Sequence, residues 1–233
     1  LRGDIYDINK KLLAGNTSFY EFVIYKNLNK NYFKEIKKIN SLIGLNLDID
    51  EIHKKLKKFN PYSAFTISKA SWDQIVEFEK NKFLFTSIKI IESKKRFYPY
   101  KNLSQIIGYV GSSSDSSYLY PKGIFHIEKG YEKHLKGSPG KIFNEVNSKG
   151  KIVREISIEN PIKGKDLHLT INLELQNYNQ SLLPKSNKGS IVIINRLDGS
   201  ILSMNSNPTF DAQIFEDKDL SLIHISEPTR QWQ

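Results

Sequence analysis

The chain of 233 residues has no cysteine, one methionine and two tryptophans, and its arginines are confined to Arg2, Arg96, Arg154, Arg196 and Arg230. Without a thiol there is no thiolate nucleophile, no disulfide and no zinc-finger site, and the absence fits a reducing or an oxidising compartment equally. Long apolar runs are missing too. The strongest, Ile191-Val192-Ile193-Ile194, falls far short of the roughly 20 residues that a membrane-spanning helix requires. No basic-then-apolar leader opens the chain, and it starts at Leu1 rather than Met, as expected of a piece cut from a longer protein. The histidines His53, His126, His134, His168 and His224 include no pair four apart and no His-Glu-x-x-His string, so no metal site is expected. His126-Ile127-Glu128 spells the start of a zinc deaminase signature whose cysteine ligands a cysteine-free chain cannot supply. A glycine-rich phosphate loop, a dinucleotide fingerprint and a Gly-x-Ser-x-Gly elbow are likewise absent, and no cofactor is expected.

What the chain does have is positive charge: Lys+Arg 35 against Asp+Glu 25, a net +10, nearly all of it lysine. With 39% hydrophobic and 26% charged residues the composition is that of a globular protein. A chain of this length buries roughly 70% of its unfolded surface without needing a staple. The lysines alternate with apolar residues at helical spacing, as in Lys34-Glu35-Ile36-Lys37-Lys38-Ile39 and Ile52-His53-Lys54-Lys55-Leu56-Lys57-Lys58-Phe59. They read as solvated helix faces. Sequence-specific DNA readers lean on arginine and RNA modules on an aromatic stacking motif, so no nucleic-acid partner is expected. A basic module that binds nucleic acid or another anionic surface is the alternative reading.

The apolar pattern predicts an α+β fold. Residues 4–25 read as short extended segments around a turn, Ile5-Tyr6, Leu12-Leu13-Ala14 and Tyr20 to Tyr25. Phe33, Ile36, Ile39 and Ile43 predict a helix closed by Gly44. Asp48 with Glu51 opens a second helix whose inner face is Ile49, Ile52, Leu56 and Phe59 and which Pro61 stops. That makes the acids Asp48, Asp50 and Glu51 a helix start rather than a catalytic pair. A strand over Ala64–Ser68, a helix opened by Ser71-Trp72-Asp73-Gln74 and a strand over Phe85–Ile91 complete a helical and strand insertion between extended segments. Ser112–Ser117 reads as a surface loop, and Ile124, Ile127 and Tyr131 mark one helix face, broken by Gly137–Gly140. A hairpin is expected over Lys141–Val146 and Lys151–Ile158 around Asn147–Gly150, then a linker at Pro161 and Gly164. A strand at Leu167–Ile171, a helix near Leu173–Leu183 and a hairpin turning at Asp198-Gly199 between Gly189–Asn195 and Ile201–Ser206 read as the opening of a second domain.

Serine with lysine three residues on can act as nucleophile and base when both share a helix face. Ser138-Pro139-Gly140-Lys141 and Ser148-Lys149-Gly150-Lys151 have that spacing, but glycine or proline inside each opposes the helical turn. Ser203-Met204-Asn205 matches Ser-x-Asn inside an expected strand, with no Lys-Thr-Gly after it. Arg2-Gly3-Asp4 spells an integrin-type tripeptide that three residues give by chance. No catalytic residue is assigned.

In order along the chain, several strings are similar to those of one family. They are Arg2-Gly3-Asp4-Ile5-Tyr6-Asp7 with Leu13-Ala14-Gly15-Asn16, Arg96-Phe97-Tyr98-Pro99, and Ile107-Gly108-Tyr109-Val110-Gly111. Gly123 with Glu128, Tyr131-Glu132 and Leu135-Lys136-Gly137-Ser138-Pro139-Gly140 come next, then Glu145-Val146-Asn147, Gly150-Lys151 and Arg154. Lys163-Gly164-Lys165-Asp166-Leu167, Leu169-Thr170-Ile171 and Ser206-Asn207-Pro208-Thr209-Phe210-Asp211 come last. Together they resemble the class B penicillin-binding proteins, most closely the penicillin-binding protein 2 group of cell elongation. The chain departs from that pattern at Lys10 and His126, where glycine is usual, and at Asn172, where Asp is usual. After about Leu220 it resembles nothing in the family and reads as a non-native tail.

The resemblance implies an elongated, non-catalytic pedestal or dimerisation domain over 1–160 and a lead-in over 161–187. It also implies the first strands of a truncated transpeptidase (β-lactamase-like) domain over 188–220 and the tail at 221–233. Structural or partner roles would fall to Arg2, Gly3, Arg96, Tyr98, Pro99, Gly108, Tyr109, Gly123, Glu128, Tyr131, Gly137, Gly140, Gly150 and Arg154. The implied setting is the periplasmic side of the bacterial inner membrane, with the N-terminal anchor missing here. The implied partners are a SEDS-family glycan polymerase and elongation scaffold proteins. Peptidoglycan and β-lactams would be bound only through the missing transpeptidase part. A complete relative would be a serine-type D,D-transpeptidase of cell-wall synthesis, and this chain would be inactive.

Overall fold

The computed structural model describes residues 1–29, 31–59, 64–111, 121–138, 140–146, 152–184 and 188–217, with the backbone alone at 141–144, 146 and 152–155. In chain order its elements begin with strands β1 (Ile5–Tyr6) and β2 (Leu12–Ile24), then helices α1 (Tyr32–Ile43) and α2 (Ile49–Lys58). Strand β3 (Phe65–Ala70), helix α3 (Trp72–Lys80) and strand β4 (Ile88–Phe97) come next, then α4 (Ser104–Ile107), β5 (Val110–Gly111) and β6 (Lys122–Gly123). Two short helices, α5 (His126–Gly130) and α6 (Glu132–Leu135), lead to β7 (Lys141–Val146), β8 (Ile152–Glu159) and β9 (Leu167–His168). The chain continues through α7 (Leu173–Leu182), β10 (Gly189–Ile194), β11 (Ile201–Asn207) and α8 (Gln213–Asp217). The fold is α+β, divided between two units, residues 18–95 and residues 1–17 with 96 onward.

Residues 18–95 form where helix caps and apolar periodicity agree. Gly44 ends α1 at φ 67, its N–H donating to Asn40 O, a left-handed backbone that glycine adopts without a Cβ clash. The Asp48 side chain accepts from Glu51 N–H to start α2, so the acids there are a cap as expected. Ser71 and Gln74 exchange both bonds of a capping box at the start of α3. β2 pairs antiparallel with β3, Tyr20 opposite Ala70, and also pairs with β4. Against these strands the helices bury Phe22, Ile24, Ile36, Ile39, Ile52, Leu56, Phe78, Phe85 and Ile88.

In the other unit β1 is a middle strand, antiparallel to the start of β2 (Ile5 opposite Ala14) and parallel to β9 (Ile5 opposite Leu167). β5 pairs with β6, β7 with β8 and β10 with β11, each antiparallel. Its core gathers Ile5, Leu13, Ala14, Leu103, Ile106, Ile107, Leu135, Ile171, Leu173 and Ala212.

Several expectations are corrected. β2 is one strand of 13 residues rather than two segments. Its middle lacks apolar alternation because Asn16 is held by tertiary hydrogen bonds, to Arg2 O at 2.8 Å and Asp4 Oδ1 at 2.9 Å. β4 begins after Phe85 and runs on to Phe97, since the charged Glu92, Lys94 and Lys95 hide its period. Ile124, Ile127 and Tyr131 do not share one helix: α5 and α6 are separate turns with Tyr131 between them. The strand expected over Leu167–Ile171 shrinks to two residues because Asn172 caps α7, accepting from Glu174 and Leu175 N–H. Gly164 is buried rather than part of a linker. The serine-rich loop, the turn at 147–150, the stop at Pro61 and the tail at 221–233 lie outside the described residues.

Candidate functional site

The sequence motifs meet at one carboxylate. Glu128, on α5, is fully buried, and the arginines that reach it are buried. Arg2 Nε donates to Glu128 Oε2 at 2.5 Å and Arg2 Nη2 to the Glu128 carbonyl at 2.7 Å. From the end of β4, Arg96 Nε donates to Glu128 Oε1 at 2.8 Å and Arg96 Nη1 to Gly3 O at 2.8 Å. Tyr98 Oη donates to Glu128 Oε1 at 3.4 Å. Arg2 Nη1 also pairs with Glu132 Oε2 at 2.7 Å, and that carboxylate accepts from Gly123 N–H at 2.9 Å. Two guanidiniums and two carboxylates thus cancel, which is the condition for burying charge at all. Residues 126 positions apart in the chain are locked together.

Glycines let backbone approach backbone closely, Gly3 and Gly123 of them at this cluster. A Cβ on Gly123 would stand 2.1 Å from Glu128 O, one on Gly3 2.0 Å from Lys165 O, and one on Gly164 1.8 Å from Leu135 O. Gly137 would meet Ile162 O at 2.3 Å and Leu1 O at 2.6 Å, and Gly140 would meet Glu159 O at 2.7 Å. Gly108 has φ +81 and no room for a Cβ beside Phe125 O, 2.2 Å away. Tyr109 stacks on Phe125 with centroids 5.9 Å apart. Pro99 and Tyr131 are exposed, Arg154 lies on β8 opposite Glu145, and Gly150 lies outside the described residues. Arg2, Gly3, Arg96, Tyr98, Gly123 and Glu128 come together, whereas Pro99 and Tyr131 make none of the bonds to Glu128 given above.

A second set of buried polar residues includes the Ser-x-Asn match Ser203-Met204-Asn205. Asp7 is buried; its Oδ1 accepts from Asn9 and Lys11 N–H at 2.8 and 2.7 Å, and its Oδ2 from Leu173 N–H at 3.1 Å. Gln176 and Asn179 on α7 and Ser203 and Asn205 on β11 are buried together. Gln176 Oε1 accepts from Met204 N–H at 2.9 Å and from Ser203 Oγ at 3.0 Å, while Asn205 Nδ2 donates to Gln176 O at 2.9 Å. Ser203 is therefore a structural hydroxyl. The signal that could have found this set is three polar residues, Ser203, Asn205 and Asn207, alternating along one strand where apolar ones were expected.

At the surface Lys163 Nζ pairs with Asp4 Oδ2 at 2.6 Å and Asp166 Oδ1 at 3.0 Å. The Asp4 N–H, and then Lys163, hold the Asp166 carboxyl below the usual carboxylate range, and the bond to Asp4 raises Lys163. Ser138 is in a β-bridge with Ile162, not on a helix, and the second serine-lysine string lies outside the described residues. Among the described residues no three His, Asp or Glu side chains group to hold a metal ion, and no helix is long and apolar enough to cross a membrane. The arrangement can position and lock backbone.

The family model of the penicillin-binding protein dimerisation domain matches residues 1–169. Over 93% of its length the chain is 31% identical to the peptidoglycan D,D-transpeptidase MrdA of Haemophilus influenzae, of which it covers 36%. To the MrdA of Escherichia coli it is 28% identical over 97% of its length, covering 39% of that protein. Among solved structures, the complex between penicillin-binding protein 2 (PBP2) and MreC from Helicobacter pylori shares the fold. The TM-score is 0.78 at 22% identity, over 97% of this chain and 45% of that one. The chain spans less than half the length of these relatives. With the buried Arg2, Arg96 and Glu128 and their supporting glycines all inside the matched residues, the chain belongs to the penicillin-binding protein dimerisation-domain family.

Proposed function

We propose that this chain is the pedestal part of an elongation-type peptidoglycan D,D-transpeptidase. Residues 1–160 form the dimerisation domain, 161–187 the lead-in, 188–220 the first strands of the transpeptidase domain, and 221–233 a non-native tail. The observation that carries this reading is the convergence of Arg2, Arg96, Tyr98 and Gly123 on Glu128 within the matched residues. Such a fold holds other parts in place; catalysis belongs to a full-length protein, which would cross-link stem peptides through a serine acyl-enzyme. Its setting is the periplasmic side of the bacterial inner membrane, reached through an anchor ahead of residue 1. Its partners are an elongation scaffold protein and a SEDS-family glycan polymerase. The scaffold is supported by the Helicobacter pylori fold neighbour, a complex with MreC.

Two measurements test this. Incubated with a fluorescent β-lactam, the 233-residue chain takes no covalent label; labelling at Ser138 or Ser148 overturns the reading. Titrated with the periplasmic part of an MreC-type scaffold protein in a calorimeter, the chain binds saturably, and absence of heat at any concentration removes the scaffold role.

A further inference from the structure

The segment after β11 is fastened to the other side of its unit by bonds of several kinds. Thr209 Oγ1 donates to Lys101 O at 3.0 Å, Ala212 N–H donates to Ser104 Oγ at 3.1 Å, and Lys101 pairs with Asp211 at 3.0 Å. Phe215 stacks on Tyr109 with centroids 3.9 Å apart. These contacts reach residues 101–109. Gln213 reaches further back, to the end of β4. Its Oε1 accepts from Tyr98 N–H at 3.0 Å and its Nε2 donates to Arg96 O at 3.4 Å. The C=O of one strand residue and the N–H two residues on open on the same edge, so one primary amide can take the place of a neighbouring strand there.

Arg96, near the end of β4, and Tyr98, just past it, are also the residues whose side chains both end on Glu128 Oε1. Their backbone faces Gln213 while their side chains face the buried cluster. We infer that Gln213 is a positioning residue that fixes segment 207–217 to the dimerisation fold through Arg96 and Tyr98, so that the clasp and the Glu128 cluster hold or loosen together. The inference rests on the proposed function only in taking the catalytic part of a full-length protein to lie C-terminal to this segment. A partner that shifts Arg96 would then shift the start of that part, with no contact of its own to it.

The test is a double-mutant cycle read by amide hydrogen exchange of Tyr98 in the 233-residue chain. Gln213→Met removes both bonds at nearly constant length and is expected to speed Tyr98 exchange at least tenfold. In a Glu128→Gln background, or Arg96→Lys if that chain does not fold, the same change is expected to matter less than threefold. Gln213→Glu keeps the acceptor and loses the donor at neutral pH. At neutral pH its carboxylate and the Arg96 carbonyl face each other as two acceptors, so Tyr98 protection relative to wild type at the same pH is expected to fall, and to recover as the new carboxyl takes up a proton and regains a donor for that carbonyl. Equal effects of Gln213→Met in both backgrounds, or Met and Glu variants with the same flat pH profile, overturn the inference. The readout does not depend on acyl transfer, so failure of the scaffold or β-lactam tests leaves it standing, and the reverse holds too.

Discussion

The unit around Glu128 and the unit of residues 18–95 bury polar groups to different ends. In the first, Arg2, Arg96 and Glu128 sit inside the protein with backbone packed so closely that Gly3, Gly123 and Gly164 have no space for a methyl group. Both units have an apolar core, and what sets the first apart is this buried charge cluster beside it. In the second, the buried Glu35 accepts from the backbone N–H groups of Ser87 and Thr86 at 2.8 and 3.1 Å rather than from a pair of guanidiniums. An apolar core tolerates other apolar side chains of similar volume. A buried charge cluster tolerates almost no substitution, because removing one charge strands the others. The motifs that spell the family lie in the first unit, whereas residues 18–95 are read from helix caps and apolar periodicity.

The sharpest way to break the contrast is Glu128→Gln, which leaves two guanidiniums buried against one remaining carboxylate. A loss of about 3–5 kcal/mol is expected, read by urea unfolding; a loss below about 1 kcal/mol would mean the cluster is dispensable. In the other unit Leu56→Ala is expected to cost about 2–5 kcal/mol, but Leu56→Met under about 1.5 kcal/mol. If both cost the same, shape and not volume governs that core. Glycine separates the units further. Gly44→Ala, at φ +67 with nothing near its Cβ, should lose about 1–2 kcal/mol of left-handed strain. Gly123→Ala should leave no soluble folded unit, which circular dichroism and solubility would show.

Smaller effects sharpen the picture in the opposite direction. His126 has φ 45 and Lys10 φ 62, non-glycine residues in the left-handed region, and these are the two positions where the family resemblance has glycine. His126→Gly is expected to raise the melting temperature by the equivalent of about 0.5–1 kcal/mol, strain relief exceeding the entropy of a freer unfolded chain. An unchanged or lower melting temperature would show that the His126 ring contacts matter more than its backbone. Last comes pH. Asp166 is held below its ordinary value in the folded chain, so its contribution is complete above the unfolded carboxylate pKa and fades as pH falls through the lower folded value. Asp166→Asn should flatten the acid limb of the stability curve slightly, and a steeper limb would contradict the assignment.

Much of the second unit was legible in the sequence. The caps at Asp48 and Ser71 and the glycine stop at Gly44 have local causes, so short-range pattern suffices for α1 to α3. The continuous β2 was not, because Asn16 is held by Arg2 O and the Asp4 carboxylate, 14 and 12 residues earlier, beyond the reach of a local pattern. The same holds for the site. Arg2, Arg96, Tyr98, Gly123 and Glu128 were each picked out, but nothing in their spacing says that they touch. Arg2-Gly3-Asp4, dismissed as a chance tripeptide for its adhesive meaning, turns out to supply two of the groups bound at the cluster. Asp7, Gln176 and Gln213 were missed as site residues because an isolated polar residue gives no period to detect.

The most direct test of the central claim, that Glu128 holds its own unit and not the other, is residue-resolved hydrogen exchange on Glu128→Gln. The expected result is loss of protection among the described residues of 1–17 and 96–217 with residues 18–95 still protected. Uniform loss across both, or full protection around Arg2 and Arg96, would contradict it.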